Sequence, residues 1–398
     1  MIYRQFQDLK LSALGFGTMR LPLIPGGGEA DIDQRQVDIM TDYALEHGVN
    51  YFDTAAPYHG SLSEVAIGKA LARHDRDSFY LADKFPGHQV VKGVDIPLKE
   101  TFEEQLKKCG VDSFDFYLKH NVNEYSMPFY TDRVKGCVDY FVEQKKQGRI
   151  RHLGFSCHGG LENLAAFLDM YGDVMEFCQI QLNYLDWSLQ EAEKKCALLK
   201  ERGVPIWVME PVRGGKLARL SEDPEARLRA LRPEESTAAW GFRWLQTVPE
   251  VTVVLSGMSS LEQMVDNVKT FSDERPLSAK ETELLYSIAA GFSALIPCTG
   301  CRYCCAGCPM GLDIPTLIGL CNDLRVHESI NVMMRYDALG EKNASACIAC
   351  GKCMEACPQK IRVPEVMREL AAGLEGKKTW EEICHERAEA QRRAKGEK

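Results

Sequence analysis

Between Leu11 and about Val268, eight short apolar runs alternate with stretches of helical periodicity. The runs are Ser12–Gly17, Tyr51–Thr54, Phe79–Lys84, Phe114–His120, Arg151–Ser156, Phe177–Asn183, Pro205–Glu210 and Val251–Gly257. These runs read as strands. Between them lie amphipathic stretches such as Gln36–Glu46, Ser63–Arg73, Leu98–Cys109, Asp132–Gln147, Leu189–Glu201 and Thr237–Leu245. Eight strand–helix pairs in roughly 250 residues predict an α/β fold of the (β/α)8 TIM barrel type. An open doubly wound sheet would place a glycine-rich phosphate turn between its first strand and a helix. Here Gly15 and Gly17 lie in or at the end of the first run, and Pro22 and Pro25 follow. Gly26-Gly27-Gly28 reads as a loop, because no helix start comes directly after it.

The chain has 398 residues, more than one barrel needs. The pattern breaks near Ser272–Pro276, and Leu277-Ser278-Ala279-Lys280 reads as a capped helix start. Half of the 16 cysteines then fall in two runs. One is Cys298, Cys301, Cys304, Cys308-Pro309; the other is Cys347, Cys350, Cys353, Cys357-Pro358. Each run reads Cys-x2-Cys-x2-Cys-x3-Cys-Pro, the spacing with which bacterial ferredoxins hold [4Fe–4S] clusters. Three closely spaced thiolates wrap one cubane, and the cysteine before proline reaches the other. The expected ligand sets are therefore Cys298, Cys301, Cys304 and Cys357 on one cluster, and Cys308, Cys347, Cys350 and Cys353 on the second. Zinc knuckles pair two Cys-x2-Cys units and have no use for the third cysteine or the proline. Cys305 reads as a spare thiol. The spacer Met310–Ala346 reads as mostly helical and resembles the α-helical ferredoxin type. The expected organisation is a barrel over 1–275, a mostly α-helical ferredoxin-like domain with two clusters over 276–365, and a charged helix or tail over 366–398.

Composition narrows the function. A net charge of −9 argues against a nucleic-acid or membrane-surface partner. No apolar run approaches the roughly 20 residues of a membrane span, and Met1-Ile-Tyr-Arg-Gln-Phe has no signal-peptide apolar core. Cluster cysteines plus scattered ones fit a reducing cytoplasm, not a disulfide scaffold.

The second run ends Tyr51-Phe52-Asp53-Thr54-Ala55-Ala56-Pro57-Tyr58, followed by Ser63-Glu64. This resembles the aldo-keto reductase family, whose signature is Asp-Thr-Ala, a Tyr five residues after the Asp, then Ser-Glu. Lys84 ends the third run and His120 the fourth, matching the other two members of that family's tetrad. The resemblance covers roughly residues 1–270. It implies a nicotinamide-linked oxidoreductase acting on a small carbonyl or alcohol. The four residues suit that chemistry. Tyr58 can supply a proton, Lys84 can stabilise the phenolate and lower its pKa, Asp53 can hold Lys84, and His120 can donate to the carbonyl oxygen.

The resemblance also implies cofactor contacts. Gly17, Thr18 and Met19 fall where the first strand approaches the nicotinamide. Ser156 and Gln179 match its carboxamide site, with Gln181 facing the same way as Gln179. Cys157 replaces the family's usual Asn, and His158 follows it. Met209 stands where an aromatic ring often stacks. Pro211, Gly214 and Gly215 lie in a segment resembling the pyrophosphate loop. Asp266 and Asn267 match the adenine contacts. Gly257 and Gln263 stand where NADPH-specific relatives carry basic residues, so NAD(H) is expected over NADP(H). An external flavoprotein or ferredoxin is a candidate electron partner, since a hydride carries two electrons and a [4Fe–4S] cluster accepts one. The alternative reading is an iron–sulfur electron-transfer or redox-docking protein whose barrel no longer does hydride chemistry. Cys157 and Met209 favour that alternative; the intact tetrad opposes it.

Overall fold

The computed structural model describes residues 1–291, 295–296, 298, 302–326, 329–357 and 359–395. All eight runs are strands: β3 (Leu14–Gly17), β4 (Tyr51–Asp53), β5 (Tyr80–Phe85), β6 (Phe114–Val122), β7 (Ile150–Cys157), β8 (Cys178–Gln181), β9 (Ile206–Met209) and β10 (Val251–Gly257). They form one closed barrel, every neighbour parallel, and β10 pairs with β3 to shut it. The helix expectations hold closely at Leu98–Cys109 and Thr237–Leu245. The stretch expected over Asp132–Gln147 is helical only from Cys137 to Lys146, because Gly136 at φ +60° starts the helix late.

An N-terminal hairpin, β1 (Tyr3–Phe6) with β2 (Leu9–Ser12), is not foreshadowed by any long apolar run. Phe6, Leu9 and Leu11 pack against the inward-facing Tyr51, Phe116, Phe177 and Trp207. Phe6 meets the Trp207 ring edge-on at 5.0 Å. Burying one such phenylalanine stabilises the fold by about 2–3 kcal/mol.

The chain divides into two compact units, residues 1–90 with 95–287, and residues 91–94 with 288–398. The capped start at Ser278 is real. Its hydroxyl accepts from Glu281 N at 3.4 Å, the Glu281 carboxylate takes Ser278 N at 2.8 Å, and the helix Ala279–Ala290 follows. The described residues of the second unit from 302 onward are helical, with no strand among them. Helices Ile314–Val326 and Val363–Leu374 face each other through Leu317, Ile318, Cys321, Val366, Met367 and Leu370. The last helix, Trp380–Lys395, anchors its start with a fully buried Trp380, whose backbone N–H donates to the Asp337 carboxylate at 2.6 Å. Among the described residues no helix is long and apolar enough to cross a membrane.

Candidate active site and cluster sites

Asp53 closes β4, Lys84 lies near the end of β5, and His120 lies in the last third of β6. Tyr58 opens a 3-10 turn, Tyr58–Ser61, five residues beyond Asp53. The parallel barrel thus gathers all four at its C-terminal rim, the end where such barrels carry their chemistry. Lys84 is fully buried, yet its ammonium has three acceptors. It donates to Asp53 Oδ1 at 2.5 Å, to the Thr54 carbonyl at 2.7 Å and to the Tyr58 hydroxyl at 3.5 Å. A buried ammonium persists only when so paired. Burial alone would pull the Lys84 pKa down, but Asp53 and then Tyr58 raise it above the ordinary lysine value.

Tyr58 corrects one expectation. Lys84 does lower its pKa, but burial of the phenol acts more strongly in the opposite direction, so the net shift is upward. The hydroxyl is therefore held protonated at neutral pH, as a proton donor must be. His120, 8% exposed, sets its ring edge-on to Tyr58, centroids 5.8 Å apart at 88°. Its backbone carbonyl accepts from the Tyr130 hydroxyl at 2.7 Å, which also reaches the Phe85 carbonyl at 3.1 Å. His88 is absent from the sequence reading. It is buried and meets the His120 ring at 4.5 Å.

The residues expected at a nicotinamide fit a carboxamide in part. Gln179 Oε1 is buried without a hydrogen-bond partner, while its Nε2 donates to Met209 Sδ at 3.6 Å. An orphaned carbonyl oxygen of this kind suits an amide N–H. Ser156, one strand away in register with Gln179, accepts from Asn121 N at 2.7 Å. Gln181 is instead committed elsewhere, donating to Asp186 at 2.8 Å. Asp186 also takes Asn183 at 2.6 Å and Arg213 at 3.1 Å. Through Arg213 it fixes the start of the Arg213–Ala218 turn that follows Pro211. Gly214 and Gly215 there take φ of +64° and +92°, values that favour glycine.

Thr18 is buried, and its hydroxyl bonds to the Asp53 carbonyl at 3.0 Å and to Ser63 at 2.7 Å, so it braces the rim. Gly17 lies against the β10 backbone, Met19 is exposed, and His158 N donates to the Val122 carbonyl at 3.1 Å. Gln263 accepts from Ser259 N at 2.9 Å and closes the turn before its helix. Asp266 accepts from Ser236 at 2.6 Å, and Asn267 donates to Ser256 at 2.9 Å. Gly257 leaves room for Arg20, whose stem would be 3.3 Å from a Cβ there. Arg20 is a basic side chain beside this segment that the sequence reading passed over.

In the second unit the cysteines of the two runs mix. One pocket is lined by Cys308, Cys347, Cys350 and Cys353, with Ile314, Val363 and Met367 around them. Another is lined by Cys298, Cys304 and Cys357. Cys301 and Pro358, expected in these motifs, lie outside the described residues. Cys305 touches Cys304 but lines neither cavity. Among the described residues no disulfide forms, and no three His, Cys, Asp or Glu side chains meet closely enough to hold a single metal ion. Thiols ringing a cavity are the donor set of a cubane, which takes one thiolate per iron.

Comparison with known proteins agrees with this division. The aldo/keto reductase family model matches residues 13–290, and a 4Fe-4S dicluster domain model matches residues 293–368. The NADH-specific methylglyoxal reductase of Escherichia coli is 24% identical over 306 residues, 66% of this chain and 90% of that protein. The L-galactose dehydrogenase of Arabidopsis thaliana is 24% identical over 304 residues, 69% of this chain and 89% of that protein. Among solved structures, the aldo-keto reductase AKR11C1 of Bacillus halodurans in its holo form superposes with a TM-score of 0.58 at 27% identity. It covers 72% of this chain and 96% of its own. The chain belongs to the aldo/keto reductase family, and its barrel is followed by a 4Fe-4S dicluster domain.

Proposed function

We propose that the barrel interconverts a small carbonyl compound and its alcohol with NAD(H), and that the second unit holds two [4Fe–4S] clusters. The observation that carries the first half is the buried Asp53–Lys84 pair reaching the half-buried Tyr58, with His120 against Tyr58. The bound nicotinamide supplies or accepts the hydride. Tyr58 holds the proton at its hydroxyl and passes it to the substrate oxygen as charge develops there. Lys84, kept cationic by Asp53, stabilises the phenolate left behind. His120 donates a hydrogen bond to the same oxygen. Gln179 and Ser156 receive the carboxamide, and the Pro211–Gly215 segment takes the pyrophosphate. Gly17, Thr18, Met19, His158 and Met209 frame the ring, and Asp266 and Asn267 the adenine end.

NADH is the preferred donor on this reading, because neither Gly257 nor Gln263 offers a charge to a 2′-phosphate. The NADH specificity in the name of the Escherichia coli relative points the same way. The cluster ligands are Cys298, Cys301, Cys304 and Cys357, and Cys308, Cys347, Cys350 and Cys353. Electron traffic through the clusters requires a one-electron partner distinct from the hydride, an external flavoprotein or ferredoxin. The test is anaerobic purification followed by NADH oxidation over aldehydes, ketones and quinones. Alcohol formed in step with NADH consumed supports the proposal. Absence of NADH binding at millimolar concentration would favour the alternative, in which the barrel is a scaffold for the clusters.

A further inference from the structure

We propose that His88 is a positioning residue for the reduction site. It clamps the His120 ring so that one fixed N–H faces the substrate oxygen. This rests on the carbonyl chemistry proposed above. His88 lies in the turn Gly87–Gln89, which leaves β5 three residues after Lys84. Its ring is 4% exposed and meets His120 edge-on, centroids 4.5 Å apart at 70°. His120 meets Tyr58 in the same way at 5.8 Å and 88°. His120 is thus held between two rings, one belonging to the proton donor.

The turn that delivers His88 is itself built tightly. A Cβ at Gly87 would lie 2.6 Å from Phe129 Cε1 and 2.7 Å from Tyr130 Cε1, so only glycine lets the turn lie this close. Gln89 N donates to the Pro86 carbonyl at 2.9 Å and Val90 N to the Gly87 carbonyl at 3.2 Å. The Tyr130 hydroxyl holds the Phe85 carbonyl at 3.1 Å and the His120 carbonyl at 2.7 Å. One buried phenol therefore links the end of β5, from which the His88 turn leaves, to the His120 backbone.

The arrangement answers a need of the chemistry. The two nitrogens of a neutral imidazole are not equivalent, and only the protonated one can donate to an oxygen. The terminal torsion of a histidine side chain is broad, so an unclamped ring samples several directions. A misplacement of about 1 Å at a reacting centre costs on the order of a hundredfold in rate.

The test is a double-variant cycle on the full-length, cluster-loaded protein, with 4-nitrobenzaldehyde as the probe carbonyl. His88→Ala removes the ring that packs on His120. It should lower kcat/KM by tenfold or more, with NADH affinity little changed. In a His120→Phe background the same substitution should cost nothing further, since its effect passes through His120. Losses that simply multiply would overturn the proposal. His88→Phe, which keeps a ring against His120, should recover most of the rate, and a loss as deep as that of His88→Ala would overturn the clamp; His88→Leu serves if His88→Ala folds poorly. An activity-independent readout separates this proposal from the reaction itself. In protein labelled with ¹⁵N-histidine, the His120 ring should show one tautomer in the wild type and an averaged pattern without His88. An unchanged His120 pattern would refute the clamp even if carbonyl reduction is real. A wild type that binds NADH but turns over no carbonyl would refute the reaction, and the role of His88 with it.

Discussion

Lys84→Met separates what the buried ion pair does for stability from what it does for chemistry. Methionine nearly fills the space of the lysine stem, so the cavity contribution is small. The loss is electrostatic. Asp53 is 2% exposed, and Lys84 is the donor to its Oδ1 at 2.5 Å. Removing one partner of a buried pair costs about 3–5 kcal/mol, because the other charge is stranded. The Thr54 carbonyl also loses its 2.7 Å donor, worth about 1 kcal/mol. The single variant should therefore lose about 4–6 kcal/mol in a denaturant titration followed by circular dichroism. Asp53→Asn combined with Lys84→Met leaves no charge to strand and should recover most of that stability. It should not recover turnover, since Tyr58 still lacks its cation. NADH-linked carbonyl reduction should stay about a hundredfold or more below wild type. A single variant within about 1 kcal/mol of wild type would refute the pairing argument. A double variant with near-normal turnover would refute the catalytic one.

Three further outcomes follow from other parts of the molecule. Lys119 is fully buried with no hydrogen-bond acceptor, its ammonium 5.4 Å from the Phe141 ring, and burial pulls its pKa from 10.5 to about 7. Between those values the unfolded chain binds more protons, so stability should rise with pH from about 7 to 10.5 and be flat below. Lys119→Met should abolish that slope and stabilise the fold at pH 7 by up to about 4 kcal/mol, measured by urea titration across pH. Cys357→Ser should damage the cluster of Cys298 and Cys304 and spare the one of Cys308, Cys347, Cys350 and Cys353. Electron paramagnetic resonance of the reduced protein reads this directly, and the opposite pattern would mean that the runs do not exchange ligands. Gln263→Arg should shift preference toward NADPH by about 1–3 kcal/mol in kcat/KM. If the wild type already prefers NADPH, Arg20→Ala should remove that preference.

The barrel was legible because each strand is covered on both faces, which writes a near-continuous apolar run into the sequence. The hairpin Tyr3–Phe6 and Leu9–Ser12 was not, because its four-residue strands are part polar and only Phe6, Leu9 and Leu11 enter the core. Asp53, Tyr58, Lys84 and His120 could be picked out because they match, in order, the tetrad that the resemblance to the aldo-keto reductases implies. The net direction of the Tyr58 shift could not, because it depends on how deeply the phenol is buried. His88 carries no motif, and only the Gly87 turn folding over Phe129 and Tyr130 brings it to His120. Gln181 shares a strand face with Gln179, but its commitment to Asp186 is a tertiary fact. The mixing of the cysteine runs was readable from the proline after each fourth cysteine, since that residue must leave its own loop.

The central claim is that this barrel still performs proton-coupled hydride chemistry through Tyr58. The most direct measurement compares wild type and Tyr58→Phe for NADH oxidation and alcohol formation with the same aldehyde, alongside NADH affinity by fluorescence titration. The account predicts equal NADH affinity and a fall of at least about a hundredfold in turnover. Near-normal turnover in Tyr58→Phe would contradict it.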